Sequence, residues 1–325
     1  MTAHGQVLES SHFRLEEMAD GVYAAIHIDG GAAISNAGVV DLGERTLVYD
    51  AFMAPHAAVD LRAAAEALFD RPIYAVIDSH WHYDHIWGNQ AFSADTDIIS
   101  TEETRRLFIA TKGHGAYNEF VATAEVNLET NQVALARAED ESERRQLKMW
   151  VDFYQGVVDL KSTLRIRPPN LTFDECMILH GRDRRVELLN FENGHTESDI
   201  VLWLPEERIA FMGDLLFIGN QPYLGGGDPD SLCWILDQVS ALEPRLLLSG
   251  HGPVGEADSL DVMVQYVRTL DGLARQMAED GEPEEALAAV PVPEPFGDWL
   301  LASFFPGNLL FLYQRWLQRQ ASMPA

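Results

Sequence analysis

One short stretch of the chain restricts its fold and chemistry more than any other. Residues 79–89 read SHWHYDHIWGN and place His80, His82, Asp84 and His85 within six consecutive positions. The chain has 11 histidines, and a surface loop has no reason to concentrate three of them here. A buried core would have to pair or neutralise each of these groups. Because imidazole and carboxylate together are typical ligands of a metal ion, we predict a metal site at this stretch.

Three further polar residues occupy similar places in the sequence. The cluster follows residues 73–79, whose apolar character predicts a buried strand. His195, Asp214 and His251 also lie at the ends of β-like runs, and each directly follows a glycine, which lets a backbone approach a crowded centre closely. Ligands in layered α/β folds favour loops at strand ends. We therefore expect these side chains to meet the cluster in space.

Together these seven side chains are more ligands than a single zinc ion takes. A tetrahedral zinc site uses four protein ligands, or three ligands and a water molecule. Seven groups fit two ions that share a bridging carboxylate and a bridging hydroxide. If the cluster is an extended turn, His80 and His82 point the same way and bind one ion, while Asp84 and His85 reach its neighbour.

The rest of the chain predicts a layered α/β protein. Short β-like runs and helical patterns alternate along it, with β-like runs over about residues 21–51 and 171–250, and helical patterns over about 57–68, 102–162 and from 259 onward. This order predicts two β layers with helices outside them. We treat residues 1–325 as a single domain, with a helical insertion over about 102–168 and a helical C-terminal segment over about 258–325.

Composition restricts the partners that the protein can have. The formal net charge is −28, so the surface repels phosphate backbones, and we expect no nucleic-acid partner. With only Cys176 and Cys233 a disulfide framework is excluded, and we expect both to be small buried residues.

Neither end of the chain predicts a membrane protein. The N-terminal residues lack the basic start and apolar run of a secretory signal. We expect Pro306 to break the apolar segment 299–317 into halves that are too short to span a bilayer. The sequence thus predicts a cytoplasmic protein without membrane association.

The order of the motifs resembles the metallo-β-lactamase superfamily. His80-x-His82-x-Asp84-His85 is followed by Gly194-His195, Gly213-Asp214 and Gly250-His251, and the resemblance extends over about residues 13–255. It implies a four-layer αββα sandwich with a dinuclear site between the sheets. It also implies that His80, His82 and His195 hold a first metal, that Asp84, His85 and His251 hold a second, and that Asp214 bridges them. The expected cofactor is two Zn²⁺ ions per chain, with iron or manganese as alternatives.

Two departures from known members narrow the activity. The cysteine-containing β-lactamases of the superfamily have Cys where Asp214 stands and, three positions later, a Lys where this chain has Phe217. Asp214 therefore indicates the glyoxalase II and lactonase type, although no basic cluster suited to glutathione is visible. We expect an enzyme, a dinuclear metal-dependent hydrolase that uses a metal-bridging hydroxide to cleave an ester, thioester, lactone or amide bond.

The substrate and the catalytic groups follow from residues near the site. Aromatic side chains at Trp81, Tyr83 and Trp87 favour a small, largely apolar substrate. Asp84 is a candidate to hold the proton of the nucleophile, and Tyr223 is a candidate to donate a hydrogen bond to the developing oxyanion.

Other functions remain open on the same scaffold. An iron-dependent oxidoreductase is one. Relatives of the flavodiiron kind, however, carry a carboxylate where His82 stands, and a flavin domain usually follows. Neither feature is visible in this sequence, which disfavours this activity. A phosphodiesterase also fits the motifs, although the charge of −28 disfavours a polyanionic substrate. β-Lactamase turnover would be a side activity. A binding protein with a vestigial site is disfavoured because the ligand set is complete.

The insertion and the C-terminal segment carry more apolar side chains than solvated helices need. We expect the tail to pack on the outer face of a sheet, to meet the insertion as a wall over the metal pocket, or to form the seam of a homodimer. The other histidines are assigned structural or surface roles, with His114 also a candidate for the pocket entrance: His4, His12, His27, His56, His114 and His180.

Overall fold

Two β-sheets form the centre of the structure, a computed structural model that describes residues 10–111 and 114–322. The first sheet contains, in chain order across it, β1 (Phe13–Ala19), β2 (Val22–His27), β3 (Ala37–Asp41), β4 (Thr46–Tyr49), β5 (Ile73–Ile77), β6 (Asp97–Thr101) and β7 (Leu171–Phe173). The second contains β8 (Cys176–His180), β9 (Arg185–Glu192), β10 (Ser198–Leu204), β11 (Ile209–Phe217), β12 (Leu246–His251) and β13 (Val254–Gly255). Its strands lie in the order β13-β12-β11-β10-β9-β8.

Helices cover the outer faces of both sheets. They are α1 (Pro55–Phe69), α2 (Tyr83–Ile86), α3 (Glu102–Thr111), α4 (His114–Arg137), α5 (Glu141–Leu160), α6 (Pro229–Ala241), α7 (Asp258–Glu279) and α8 (Phe304–Ser322), with 3₁₀ turns at Trp87–Ala91 and Glu284–Ala289. An apolar core that includes Leu47 and Phe211 fills the space between the sheets. A second core lies between α1 and the first sheet, and a third joins α6, α7 and α8 to the second sheet. The αββα architecture that the resemblance implied is thus confirmed.

Parallel pairing places the ends of several strands at one edge. β4, β5, β6 and β7 are mutually parallel, and Ile77 of β5 is paired with Tyr49 of β4 and with Ile99 of β6. In the second sheet β11 and β12 are also parallel, and both are buried along nearly their whole length. Chain segments that leave the carboxyl ends of such strands emerge side by side, which is where ligands bind in α/β sheets.

The predicted helical insertion consists of α3, α4 and α5, which lie between β6 and β7 in the sequence. Helix α5 begins at Glu141, and the Asp140 side chain caps it by accepting a hydrogen bond from the Glu143 amide. Phe108, Val121 and Leu160 belong to an apolar cluster that also contains Ile86 and Trp87. These two residues belong to the histidine-rich stretch 79–89, which we call the metal-site loop. The cluster attaches the insertion to the sandwich.

The C-terminal segment differs from its prediction in one respect. Pro306 does not break the apolar segment, because it lies in the first turn of α8, where its missing N–H leaves no hydrogen bond unmade. Leu309 and Leu312 of α8 are buried in the core on the second sheet, so the tail packs on an outer face, as one of the expectations held. Nowhere in the described ranges is a helix both long and apolar enough to cross a membrane. The homodimer seam stays a prediction.

The two cysteines have different environments. Cys233 is buried in α6, as expected, but Cys176 is exposed at the start of β8, so its predicted burial is wrong. Both thiols are free.

Candidate metal centre

The seven candidate ligands meet at the edge where the strand ends converge. Asp214 lies within β11, so the prediction that it stands at the end of a β-like run is wrong. Their metal-binding atoms form two groups, and within each group these atoms lie within 4.8 Å of one another. One group consists of His80, His82, His195 and Asp214, and the other of Asp84, His85 and His251. The second group lies beside the first, because contacts of Asp214 reach both.

Asp214 stands between the two groups and faces each with a different oxygen. Its Oδ2 lies 3.4 Å from His195 Nε2 and 3.8 Å from His80 Nε2. Its Oδ1 lies 3.1 Å from His85 Nε2 and 3.4 Å from His251 Nε2. A carboxylate in this position can contribute one oxygen to an ion on each side.

The histidine cluster has a different backbone from the extended turn that we expected. His82 is extended and precedes one helical turn, α2, which carries both Asp84 and His85. The prediction of an extended turn is therefore wrong beyond His82. The separation of ligands survives, because His82 Nδ1 points to His195 Nε2 at 2.9 Å, while Asp84 Oδ2 lies 3.2 Å from His251 Nε2.

Two glycines allow Asp214 to enter the centre. A Cβ atom on Gly250 would lie 2.0 Å from Asp214 Oδ1, so no other residue fits at that position without movement. Gly213 has a φ of 52°, in the left-handed region that favours glycine, and a Cβ atom there would lie 2.9 Å from Ser79 Oγ. The expectation that glycines permit close approach is met at both places.

A buried carboxylate that the sequence did not reveal orients two of the imidazoles. Asp50 follows β4 and accepts hydrogen bonds from the Ser79 amide and hydroxyl, each at 2.8 Å. Its Oδ2 also lies 2.8 Å from His85 Nδ1, and Ser79 Oγ lies 2.9 Å from His80 Nδ1. These contacts occupy the Nδ1 atoms and leave the Nε2 atoms for the centre.

The residues fit a bound metal. His80 Nε2 and His85 Nε2 are buried and have no hydrogen bond of acceptable geometry, although His85 Nε2 lies 3.1 Å from Asp214 Oδ1. Buried polar atoms of this kind are rare unless something else satisfies them. Imidazole nitrogens and carboxylate oxygens that converge in this way suit zinc or a similar transition metal.

Comparison with known proteins agrees with this geometry. A family model described as the metallo-beta-lactamase superfamily matches residues 30–251, more than half of the chain. The chain belongs to the metallo-β-lactamase superfamily. The candidate metal site of His and Asp side chains lies within, or at the end of, the range that this family model matches.

Similar proteins carry related names. The metallo-beta-lactamase type 2 of Bacteroides fragilis is 28% identical over 118 residues, which are 35% of this chain and 47% of that protein, so the chain spans about half of its length. Among solved structures, a metallo-beta-lactamase from Pontibacter korlensis has a TM-score of 0.57 and 15% identity, covering 79% of this chain and 99% of the other. DIM-1 metallo-beta-lactamase exposed to ceftazidime has a TM-score of 0.55 and 16% identity, covering 80% and 99%. These two likenesses show a shared fold.

The two groups of ligands differ in the pKa values of their histidines. Burial, reinforced by neighbouring His195, lowers the pKa of His82 to about 3, and burial also lowers the pKa values of His80 and His195. Burial lowers the pKa of His251 too, but the Asp214 and Asp84 carboxylates outweigh it and raise that pKa to about 9. The same carboxylates raise the pKa of His85 well above its ordinary value.

The centre opens into a cavity of 480 Å³ whose wall is largely aromatic. Trp81 and Tyr83 come from the metal-site loop, Phe120 and Phe153 from the insertion, and Phe304 from the tail. Among the described residues that line this cavity none is Lys or Arg. The expectation that the insertion and the tail meet over the metal pocket is therefore also met.

Three further residues line the cavity. Phe217 stacks on His251 with ring centroids 4.9 Å apart, in the position where the cysteine-containing β-lactamases have Lys. Tyr223 lines the cavity, half-exposed, 6.2 Å from the His82 ring. His27, to which we gave a structural or surface role, also lines it, 6.2 Å from the His251 ring. The side chain of His114 and all of His4 lie outside the described part of the chain.

Proposed function

We propose that the protein is a zinc-dependent hydrolase that holds two ions and cleaves an ester, thioester, lactone or amide bond of a small, largely apolar substrate. The observation that carries this proposal is the position of Asp214, whose two oxygens face two separate groups of imidazoles. A single ion would leave at least one of these groups without a partner, at the cost of buried unsatisfied polar atoms.

Zinc ions held by these ligands would supply hydroxide at neutral pH and polarise the scissile carbonyl oxygen. Asp84 is suited to hold the proton of the nucleophile, since its side chain keeps 18% exposure toward the cavity while its Oδ2 contacts His251. The hydroxyl of Tyr223 is suited to donate a hydrogen bond to the oxyanion that develops on the substrate. The aromatic wall excludes water and binds the apolar body of the substrate.

The superfamily name makes β-lactam hydrolysis the second candidate, because the similar proteins are named metallo-β-lactamases. The cavity disfavours it. Phe217 replaces the cation that would bind the carboxylate of the drug, and a missing charge-assisted hydrogen bond costs about 1.5–3 kcal/mol. We therefore rank β-lactams below esters, thioesters and lactones. An oxidoreductase or phosphodiesterase ranks lower still, since no described feature of the cavity favours either.

Metal analysis together with a hydrolysis screen tests the proposal. Zinc-loaded protein should contain about two ions per chain and should hydrolyse esters, thioesters or lactones faster than the β-lactam nitrocefin. One ion or none after careful loading would contradict the dinuclear centre. Nitrocefin turnover above that of every other substrate class would instead make the protein a β-lactamase.

The variant Asp214→Asn tests the bridging role directly. It keeps the shape of the side chain but removes the charge that faces both groups, so we expect loss of about one ion per chain. Hydrolysis should fall by more than about a hundredfold, since loss of a residue that merely orients a ligand already costs about 10–100-fold. Circular dichroism should be unchanged, and retention of full activity would exclude Asp214 as a ligand.

A further inference from the structure

Three aromatic side chains separate the metal cavity from a second cavity. Trp150, Tyr154 and Phe304, which we call the aromatic boundary, line the 480 Å³ metal cavity on one side. The same three side chains line an outer cavity of 680 Å³ on the other side. A single layer of aromatic rings therefore lies between the metal cavity and the outer cavity.

The boundary is built where the insertion meets the tail. The Trp150 ring packs edge-on against Phe304 at 5.5 Å between centroids, and it stacks on Tyr154 at 5.7 Å. Its Nε1 donates a hydrogen bond to Ser303 Oγ at 2.9 Å. The Ala302 amide donates to Gln146 Oε1, also at 2.9 Å. Tyr154 of α5, Ser303 just before α8 and Phe304 at its start thus hold the Trp150 ring in one orientation.

The boundary continues inward to the candidate catalytic residues. Phe304 packs against Tyr223 at 5.9 Å between ring centroids, and Tyr223 in turn lies 6.2 Å from the His82 ring. This row of rings gives a substrate whose reacting carbonyl is at the metals an apolar path toward Phe304 and Trp150. The outer cavity beyond them is more polar, with Asn131, Asp140 and Glu143 in its wall.

We propose that Trp150 and Phe304 set the upper length of the acyl group that the metal cavity accepts, an inference that rests on the proposed hydrolytic function. Removing either ring joins the two cavities into one continuous space. Chains that collide with the boundary in the natural protein then extend into the outer cavity.

The test compares straight-chain p-nitrophenyl esters from acetate to dodecanoate on zinc-loaded protein. The readout is the ratio of kcat/KM for the decanoate ester to that for the acetate ester. We expect this ratio to rise about tenfold or more in Trp150→Ala and in Phe304→Ala, the size of discrimination that a pocket boundary gives. Ser303→Ala, which keeps the ring but removes its hydrogen-bond acceptor, should give a smaller rise. The control Trp234→Ala removes a ring that is 56% exposed on α6 and lines neither cavity, and it should keep the natural ratio.

A binding measurement separates this inference from the proposed function. If the natural protein hydrolyses no ester, thioester, lactone or amide, the proposed function fails. Whenever it hydrolyses none of the p-nitrophenyl esters, calorimetric binding of butyrate and decanoate, which resemble the products, decides the inference. The affinity ratio of decanoate to butyrate should then rise in Trp150→Ala and Phe304→Ala but not in Trp234→Ala. Unchanged ratios in both boundary variants, in kinetics or in binding, would overturn the inference. Because the two variants lie on different elements, failure of one to fold leaves the other to give the answer.

Discussion

Two buried carboxylates at the centre have opposite electrostatic roles. Burial raises the pKa of Asp50, because His85 and Ser79 only partly compensate for the loss of water. Burial acts on Asp214 in the same direction, but His85 and His251 outweigh it and hold the pKa of Asp214 well below its ordinary value. Asp214 therefore stays charged and suits a ligand shared between ions. Asp50 contacts only the imidazole of His85 at the centre, so it is suited to orient that ring.

The variant Asp50→Asn should weaken metal binding without removing a ligand. The amide keeps the size of the side chain but cannot accept every hydrogen bond that the carboxylate accepts from Ser79 and His85. We expect about a 10–100-fold loss of affinity at the group of Asp84, His85 and His251, measured by titration against a coloured chelator. Asp41→Asn is the control, since that carboxylate pairs with Arg71 outside the centre. Equal affinities in the two variants would show that Asp50 does not orient His85.

Among the elements, the insertion has two functions. Its Phe108 and Val157 pack behind the metal-site loop, in the cluster that contains Ile86 and Trp87. Phe153 packs against the same cluster and also lines the metal cavity. The insertion therefore supports the metal-site loop and also shapes the cavity beside it.

Adjacent residues of α3 provide a matched test of this support. Phe108 is 1% exposed, whereas Ile109 is 49% exposed. Phe108→Ala should lower the free energy of unfolding by about 3–5 kcal/mol, because it leaves a cavity in the cluster behind the loop. Ile109→Ala should change it by less than about 0.5 kcal/mol. Urea denaturation of both variants measures the difference, and similar values would mean that the insertion does not share a core with the sandwich.

Most elements could be predicted from the sequence, and the exceptions have physical causes. Strand β1 was missed because only Phe13 and Met18 are well buried along it, and a register shift between Glu17 and Ala19 disrupts its alternation. Strand β6 was missed because it is short and runs directly into α3. Helix α2 is a single turn, too short for any periodicity to show.

The candidate ligands could be predicted for a different reason from the residues that support them. Each ligand has a local signal, such as the dense cluster around His82 or the glycine before Asp214. Asp50 has no such signal, since it meets His85 across 35 positions only when β4 and β5 pair in parallel. His27 likewise reaches the cavity only through the packing that brings it near His251. Contacts of this kind come from tertiary structure and leave no pattern in one sequence.

At the scale of the whole molecule, the negative net charge attracts cations, but the two ligand groups differ in the protons that a bound cation would displace. A net charge of −28 attracts metal ions toward the protein at low ionic strength. Burial keeps His80, His82 and His195 neutral near pH 7, which is the form that binds a metal. On the other side, the carboxylates keep His85 and His251 protonated in the metal-free chain. An ion that enters the second group must therefore displace protons that the first group does not carry.

This difference predicts two binding steps with different pH dependence. Protons compete with the metal for His251 below its pKa of about 9, so affinity in the weaker step should rise by about tenfold per pH unit for each proton displaced between pH 6 and 9. Affinity in the tighter step should change little over this range, because the pKa of His82, about 3, lies far below it. In the metal-free chain the stability of the fold changes with pH in the opposite direction to this metal affinity. The raised pKa of His251 stabilises the fold most below pH 6.5, and this contribution is lost as the pH rises through 9. Zinc titrations at several pH values, with calorimetry in buffers of different ionisation enthalpy to count the released protons, measure both steps. Identical pH slopes in the two steps, or no proton release at pH 7, would contradict the division of the centre into a neutral group and a protonated group.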